Sequence, residues 1–155
     1  MIFDHLVIEL TMIFKIVVAA FFGLLVGLER RGGQAGAGSR TFSLISMGAC
    51  VFTVLSIHGF QTTGNPERLV AQIITGVGFI GGGVIWRAKN DIIHGITTAA
   101  GIWMAAGIGI AIGLDYYLLA VFSMLLTMIV LSKGHPVSEA KGNLVKLMNC
   151  MGKDK

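Results

Sequence analysis

The sequence predicts an all-α fold, a polytopic membrane protein built as a bundle of about five transmembrane helices. Three observations point there. Hydrophobic residues make up 54% of the 155 and charged residues only 13%, with a mean hydropathy of +0.80, whereas about a quarter of a soluble domain is charged. The charges fall in short clusters between long apolar runs. Between Leu69 and Trp86 no residue is charged, a length that as a helix crosses the roughly 30 Å apolar core of a bilayer.

Five apolar runs follow in order, at about 6–28, 41–57, 69–86, 95–114 and 116–131. Together they form one membrane domain over 1–131, followed by a short basic tail over 132–155. The first run is interrupted by Glu9 and Lys15, which snorkel or face protein. Asp115 alone separates the last two, so a tight helical hairpin is expected there. The N-terminus, Met1-Ile2-Phe3-Asp4-His5, lacks the positive region of a signal peptide. In the tail, Val137 to Met148 reads either as a basic amphipathic helix lying on headgroups or as a solubilising end.

Charge sets the expected orientation. Arg30, Arg31 and Arg40 lie in the first loop, Arg87 and Lys89 in the third, and five lysines in the tail, against Arg68 alone in the second loop. By the positive-inside rule the N-terminus is outside and the C-terminus cytoplasmic, in the inner membrane. The same rule accounts for the net charge of +4, and no basic-aromatic stripe or motif points to nucleic acid. Cys50 falls in an apolar run and Cys150 in the tail, so both read as free thiols rather than a disulfide.

Glycine is the informative residue. Gly76, Gly78, Gly81, Gly82 and Gly83 lie in a run that a mere anchor would fill with leucine, each weakening a helix by about 1 kcal/mol relative to alanine. The string 76–81 fits GxGxxG, but no strand precedes it and no acid follows at the right distance, so a dinucleotide site is rejected. The glycines read better as packing surface. Gly78 and Gly82, Gly23 and Gly27, and Gly109 and Gly113 are GxxxG pairs, a spacing that lets helix backbones approach closely. Ala19 extends the first-span ridge, and Thr97, Gly101 and Ala105 extend the fourth. The alternative is that 76–83 unwinds and exposes carbonyls, as in discontinuous transporter helices.

The polar candidates are few. Glu29 and Arg30 end the first run; Glu29 either anchors at the interface, pairs with Arg40, or reaches toward a cation, which makes it a weak metal candidate. Arg68, Gln72 and Gly76 share a helix face, and Thr97 and Thr98 are the partners proposed for Gln72. The four histidines are scattered, and no HExxH, CxxC, carboxylate pair or serine elbow appears. Neither an enzyme nor a bound cofactor is expected.

Taken as a series, these residues resemble the MgtC/SapB family of membrane proteins. The resemblance rests on Gly27-Leu28-Glu29-Arg30, on Gly38-Ser39-Arg40-Thr41, and on Arg68 with Ala71-Gln72. It continues through Gly76-Val77-Gly78-Phe79-Ile80-Gly81-Gly82-Gly83 and Gly95-Ile96-Thr97-Thr98 to Trp103, covering about 13–131. It implies a bacterial or archaeal cytoplasmic-membrane protein of about five spans, linked to growth at low magnesium and to restraint of the F-type ATP synthase. Two departures are visible. Longer members carry a cytosolic ACT-type domain where this sequence has about two dozen residues, which favours the shorter SapB-like branch. The loop 31–38 is also unusually glycine-rich. The expected function is therefore a non-enzymatic regulator in magnesium or phosphate homeostasis, homo-oligomeric through glycine faces and bound to a membrane complex such as that synthase or a transporter. The alternative is a small-cation transporter or channel, with Glu29, Gln72 and an opened 76–83 backbone as its path; a purely structural membrane protein comes third.

Overall fold

The computed structural model describes residues 2–29, 37–59, 66–88 and 92–132. Five helices dominate: α1 (Ile2–Glu29), α2 (Ser39–Gly59), α3 (Pro66–Gly83), α4 (Ile96–Gly113) and α5 (Tyr117–Leu131). Three of them are long and apolar enough to cross a membrane, α2 and α4 over their full length and α1 from His5. The other two fall short of that criterion: α5 has only 15 residues, and α3 opens on Pro66-Glu67-Arg68 and is glycine-rich. Arg30, Arg31, Lys89, Cys150 and the proposed amphipathic tail lie outside the described residues.

The helical reading needs one correction. The third run does not stay helical to Trp86. Gly81, Gly82 and Gly83 weaken the helix end, and its last turn tightens into i→i−3 bonds, Val84 N to Gly81 O at 3.3 Å and Ile85 N to Gly82 O at 3.2 Å. Trp86–Arg87 (β1) then pairs antiparallel with Ile93–His94 (β2), β-branched and aromatic residues suiting the strand. The Trp86 and His94 rings stack across it, with centroids 4.7 Å apart. Gly95 returns the chain into α4 at φ 92°. A side chain there would also meet the Val84 carbonyl carbon at 2.9 Å, so the corner requires glycine twice over.

The helices are organised around α2. Gly23 of α1 lies over Phe42 and Ser46, and Gly27 over Ser39, so α1 runs antiparallel to α2. Gly101, Gly109 and Gly113 of α4 meet Phe42, Ser46 and Thr53 in turn, so α4 runs parallel to it. The core between them holds Phe42, Cys50, Ile102, Ile108 and Ile112. Many large apolar side chains point outward instead, Phe14, Val17, Leu44, Leu118, Phe122 and Ile129 among them. That is an inverted surface for water and an ordinary one for lipid.

Candidate functional site

The spine of the molecule is a small-residue seam on α2. Ser43 donates to the Ala20 carbonyl of α1 at 2.8 Å, and Thr53 donates to Ala49 in its own helix at 2.8 Å. Ser46 is wedged between the two neighbouring helices. A β-carbon on Gly23 would stand 2.8 Å from Ser46 Cβ, and one on Gly109 would stand 2.9 Å from the Ser46 carbonyl carbon and nearer still to its oxygen. One on Gly113 would stand 2.8 Å from Thr53 Cβ. Two helices thus press their backbones against α2 and meet each other beside it, where many weak dispersion contacts add. Ser46 Oγ is buried there without a hydrogen-bond partner among the described residues.

At one end of this seam lies the ion pair between Lys15 Nζ and Asp115 Oδ2, at 2.7 Å. The lysine side chain is only 5% exposed and the aspartate 60%. Lys15 sits one turn before Ala19 on the α1 ridge, so it neither snorkels nor pairs with Glu9; Glu9 lies 3.6 Å from His5 instead. Asp115 is the residue just past the end of α4, at φ 66°. Its N–H bonds Ile112 O at 3.1 Å, and the Tyr116 N–H bonds Ala111 O at 2.8 Å. Both bonds belong to a Schellman cap, whose left-handed position normally takes glycine. An aspartate there costs about 1 kcal/mol or more of backbone strain, and its carboxylate meets both Lys15 and the Tyr117 hydroxyl, which donates to Oδ1 at 3.1 Å. The Lys15 ammonium bonded to it, aided by Tyr117, holds the Asp115 carboxyl below its ordinary range. Sequence reading missed this pair because a hundred residues separate its members; the lysine's place on the glycine ridge was the available signal.

The predicted candidates divide into three places. Glu29 is half-buried at the end of α1, and Arg40 is exposed at the start of α2. No ion pair joins them among the described residues. Thr41 beside Arg40 is half-buried, Gly95 forms the corner into α4, and of the two threonines that follow, Thr97 is exposed and Thr98 buried. Arg68 and Gln72 are exposed near the opposite end, on α3. Gly81 touches Ala99, so α3 and α4 meet there, and Gln72 stands nine residues up the helix, about 13 Å away. Gln72 therefore cannot bond Thr97 or Thr98. It lines an apolar groove between α2 and α3.

The α3 helix is unbroken from Pro66 to Gly83, so the unwound alternative for 76–83 does not hold before the terminal turn. Its glycines differ sharply. Gly81 packs on Ala99, but a β-carbon on Gly76, Gly78, Gly82 or Gly83 would find nothing within 4 Å. Phe79 between them is 87% exposed. Among the described residues Gly76, Gly78, Gly82 and Gly83 are open, unlike the paired glycines Gly23, Gly27, Gly109 and Gly113 of α1 and α4. No group of three His, Cys, Asp or Glu that could hold a metal occurs among the described residues.

An α-helical bundle with an outward apolar surface, interlocked through glycine and carrying one small-residue face open, defines a membrane protein. The chain belongs to the MgtC family, whose model matches residues 16–140. The family is one of non-catalytic proteins. Protein SapB of Bacillus subtilis (strain 168) is 40% identical over 129 residues, covering 79% of this chain and 56% of the relative. The putative magnesium transporter YhiD of Escherichia coli (strain K12) is 39% identical over 133 residues, covering 81% and 61%. Protein MgtC of Salmonella typhimurium (strain LT2) is 36% identical over 105 residues, covering 68% and 44%. The chain spans about half the length of the curated relatives it matches. No solved structure matches it.

Proposed function

We propose that the chain is a non-enzymatic membrane regulator tied to magnesium homeostasis, acting by contact with another membrane complex through the open face of α3. The observation that carries this reading is the contrast among the glycines. Gly23 and Gly27 of α1 and Gly101, Gly109 and Gly113 of α4 are consumed by packing on α2, while the Gly78 and Gly82 pair meets nothing among the described residues. A helix accepts about 1 kcal/mol of weakening for each glycine, and close approach by another helix is what offsets it in a bilayer. The same face serves contact between copies of this chain, and the family resemblance points to the F-type ATP synthase as the complex contacted. In this reading all five helices cross the cytoplasmic membrane, with the N-terminus outside and the tail inside, as the basic residues at the Arg40 and Arg87 end favour.

Magnesium transport is the second reading, favoured by the printed name of the Escherichia coli relative. The proposed path is not assembled, however. Glu29 and Gln72 lie toward opposite ends of the bundle, and the α3 backbone between Gln72 and Gly83 is helical.

The test is growth at low magnesium of cells whose chromosomal copy carries Gly78→Leu with Gly82→Leu. The open space around both positions predicts normal membrane levels of the variant and a growth phenotype equal to deletion. Wild-type growth would refute the contact reading.

A further inference from the structure

A groove between α2 and α3 is a recess that the proposed function does not use. It encloses about 540 Å³ and runs from Phe52 and Leu69 at one mouth, past Gln72, Gly48 and Gly76, to Leu44 and Ile80. Two of its walls are missing side chains: neither Gly48 nor Gly76 has any atom within 4 Å of where a β-carbon would stand. Gly76 lies about 200° round α3 from Gly78, so this is a separate face from the one proposed for regulation.

We propose that this groove binds one glycerophospholipid, with an acyl chain along it, a glycerol ester against Gln72 and the phosphate against Arg68. Three features select this occupant. The first is size. The recess, about 540 Å³, is a narrow slot along about 16 Å of α3, the form of one extended acyl chain. A partner helix would lie over this groove rather than in it, an outcome that the Gly76→Cys crosslink below reads.

The second feature is the order of polar groups. The walls are aliphatic and aromatic except for Gln72, whose amide makes no hydrogen bond among the described residues. A primary amide facing lipid needs an acceptor, and the ester carbonyl of a phospholipid is the acceptor found at that depth. Arg68 lies four residues, about 6 Å, nearer the end of the helix, the step from ester to phosphate. It is exposed and has no ion pair among the described residues. Arginine is the side chain best shaped to hold a phosphate.

The third feature is level. Arg68 stands near the mouth of the groove rather than along its length, where a headgroup would sit once α3 crosses the bilayer, and the site rests on that crossing. Arg68, Gln72 and Gly76, spaced at i, i+4 and i+8, then read in order as sites for phosphate, ester and methylene.

The test is native mass spectrometry of the full chain released from nanodiscs of defined composition. The probes are dioleoyl phosphatidylglycerol, dioleoyl phosphatidylethanolamine and dioleoylglycerol. One phospholipid per chain is expected to persist after activation strips the annular lipid. Gly48→Leu and Gly76→Leu, which fill the groove, should each lower that retention at least tenfold, while Gly107→Leu, in open space on α4, leaves it unchanged. Arg68→Gln should lower phospholipid retention about tenfold yet leave dioleoylglycerol unaffected, which separates phosphate recognition from mere chain burial. Should the leucine variants fail to fold, Arg68→Gln and Gln72→Leu at exposed positions still decide the matter. Equal retention by wild type and Arg68→Gln overturns the proposal. So does a disulfide between two copies of Gly76→Cys, because the groove would then face a second chain.

Discussion

Gly109 offers the sharpest perturbation of the seam. A β-carbon added there stands 2.9 Å from the Ser46 carbonyl carbon, nearer still to the oxygen, and 3.1 Å from Ala49 Cβ. The first two are backbone atoms and cannot rotate away. Restoring ordinary contact means moving α4 off α2 by about 1 Å, and a gap of that size forfeits up to about half of each dispersion contact along the seam. Overpacking of this kind costs about 1–3 kcal/mol and sometimes more, against about 1 kcal/mol regained in helix propensity. Because the obstruction is backbone, the upper end applies, and Gly109→Ala should lose about 2 kcal/mol net, close to thirtyfold in the folding equilibrium. Gly107, half a turn away, has open space, and Gly107→Ala should be neutral or stabilising by up to about 1 kcal/mol. Unfolding in mixed micelles by titration with dodecyl sulfate, followed by Trp103 fluorescence, compares the two. Equal midpoints would refute the claim that α4 is held by backbone contact with α2.

The ion pair should respond asymmetrically. Asp115→Asn strands a buried ammonium and should cost about 2 kcal/mol, below the roughly 3–5 kcal/mol of a fully buried pair because the carboxylate is mostly exposed; Lys15→Met, which leaves only a hydrated carboxylate, should cost less than half of that in the same titration. The carboxyl of Asp115 is held below its ordinary value of 3.8, so its contribution is present in full above that value and is lost as pH falls through the lower, folded one. Wild type and Lys15→Met should therefore keep a constant stability difference between pH 5 and 8 and converge in stronger acid. Ser46→Ala removes a buried hydroxyl that has no partner among the described residues and should be neutral or stabilising by about 1 kcal/mol, read from the same unfolding curves.

Much of this architecture was legible in the residues, and the exceptions have physical causes. Helices could be placed because long apolar runs stand out, although only three of the five reach membrane length by composition, and the ridges through Gly23 and Gly109 could be seen because close packing in lipid demands small residues at that spacing. What spacing cannot tell is whether a small-residue ridge is used inside the chain or outside it. Gly109 and Gly82 look alike in sequence, yet one abuts α2 and the other faces open space. The β1–β2 hairpin was hidden because Val84, Ile85 and Trp86 extend the apolar run, and only the weak glycine end before them hints at a stop. Gln72 was paired with Thr97 and Thr98 on residue type alone, and helix length sets them too far apart. The Lys15–Asp115 pair depends on the turn after α4 coming level with the middle of α1, which no local pattern encodes.

The central claim is that the chain works by contact and carries no ion. Magnesium uptake into proteoliposomes containing only this protein, shown to be folded and inserted, tests it most directly, with Glu29→Gln and Gln72→Leu alongside. The account predicts uptake equal to that of protein-free vesicles for wild type and both variants. Saturable uptake by the wild type that either variant abolishes would contradict it and make the bundle a transporter.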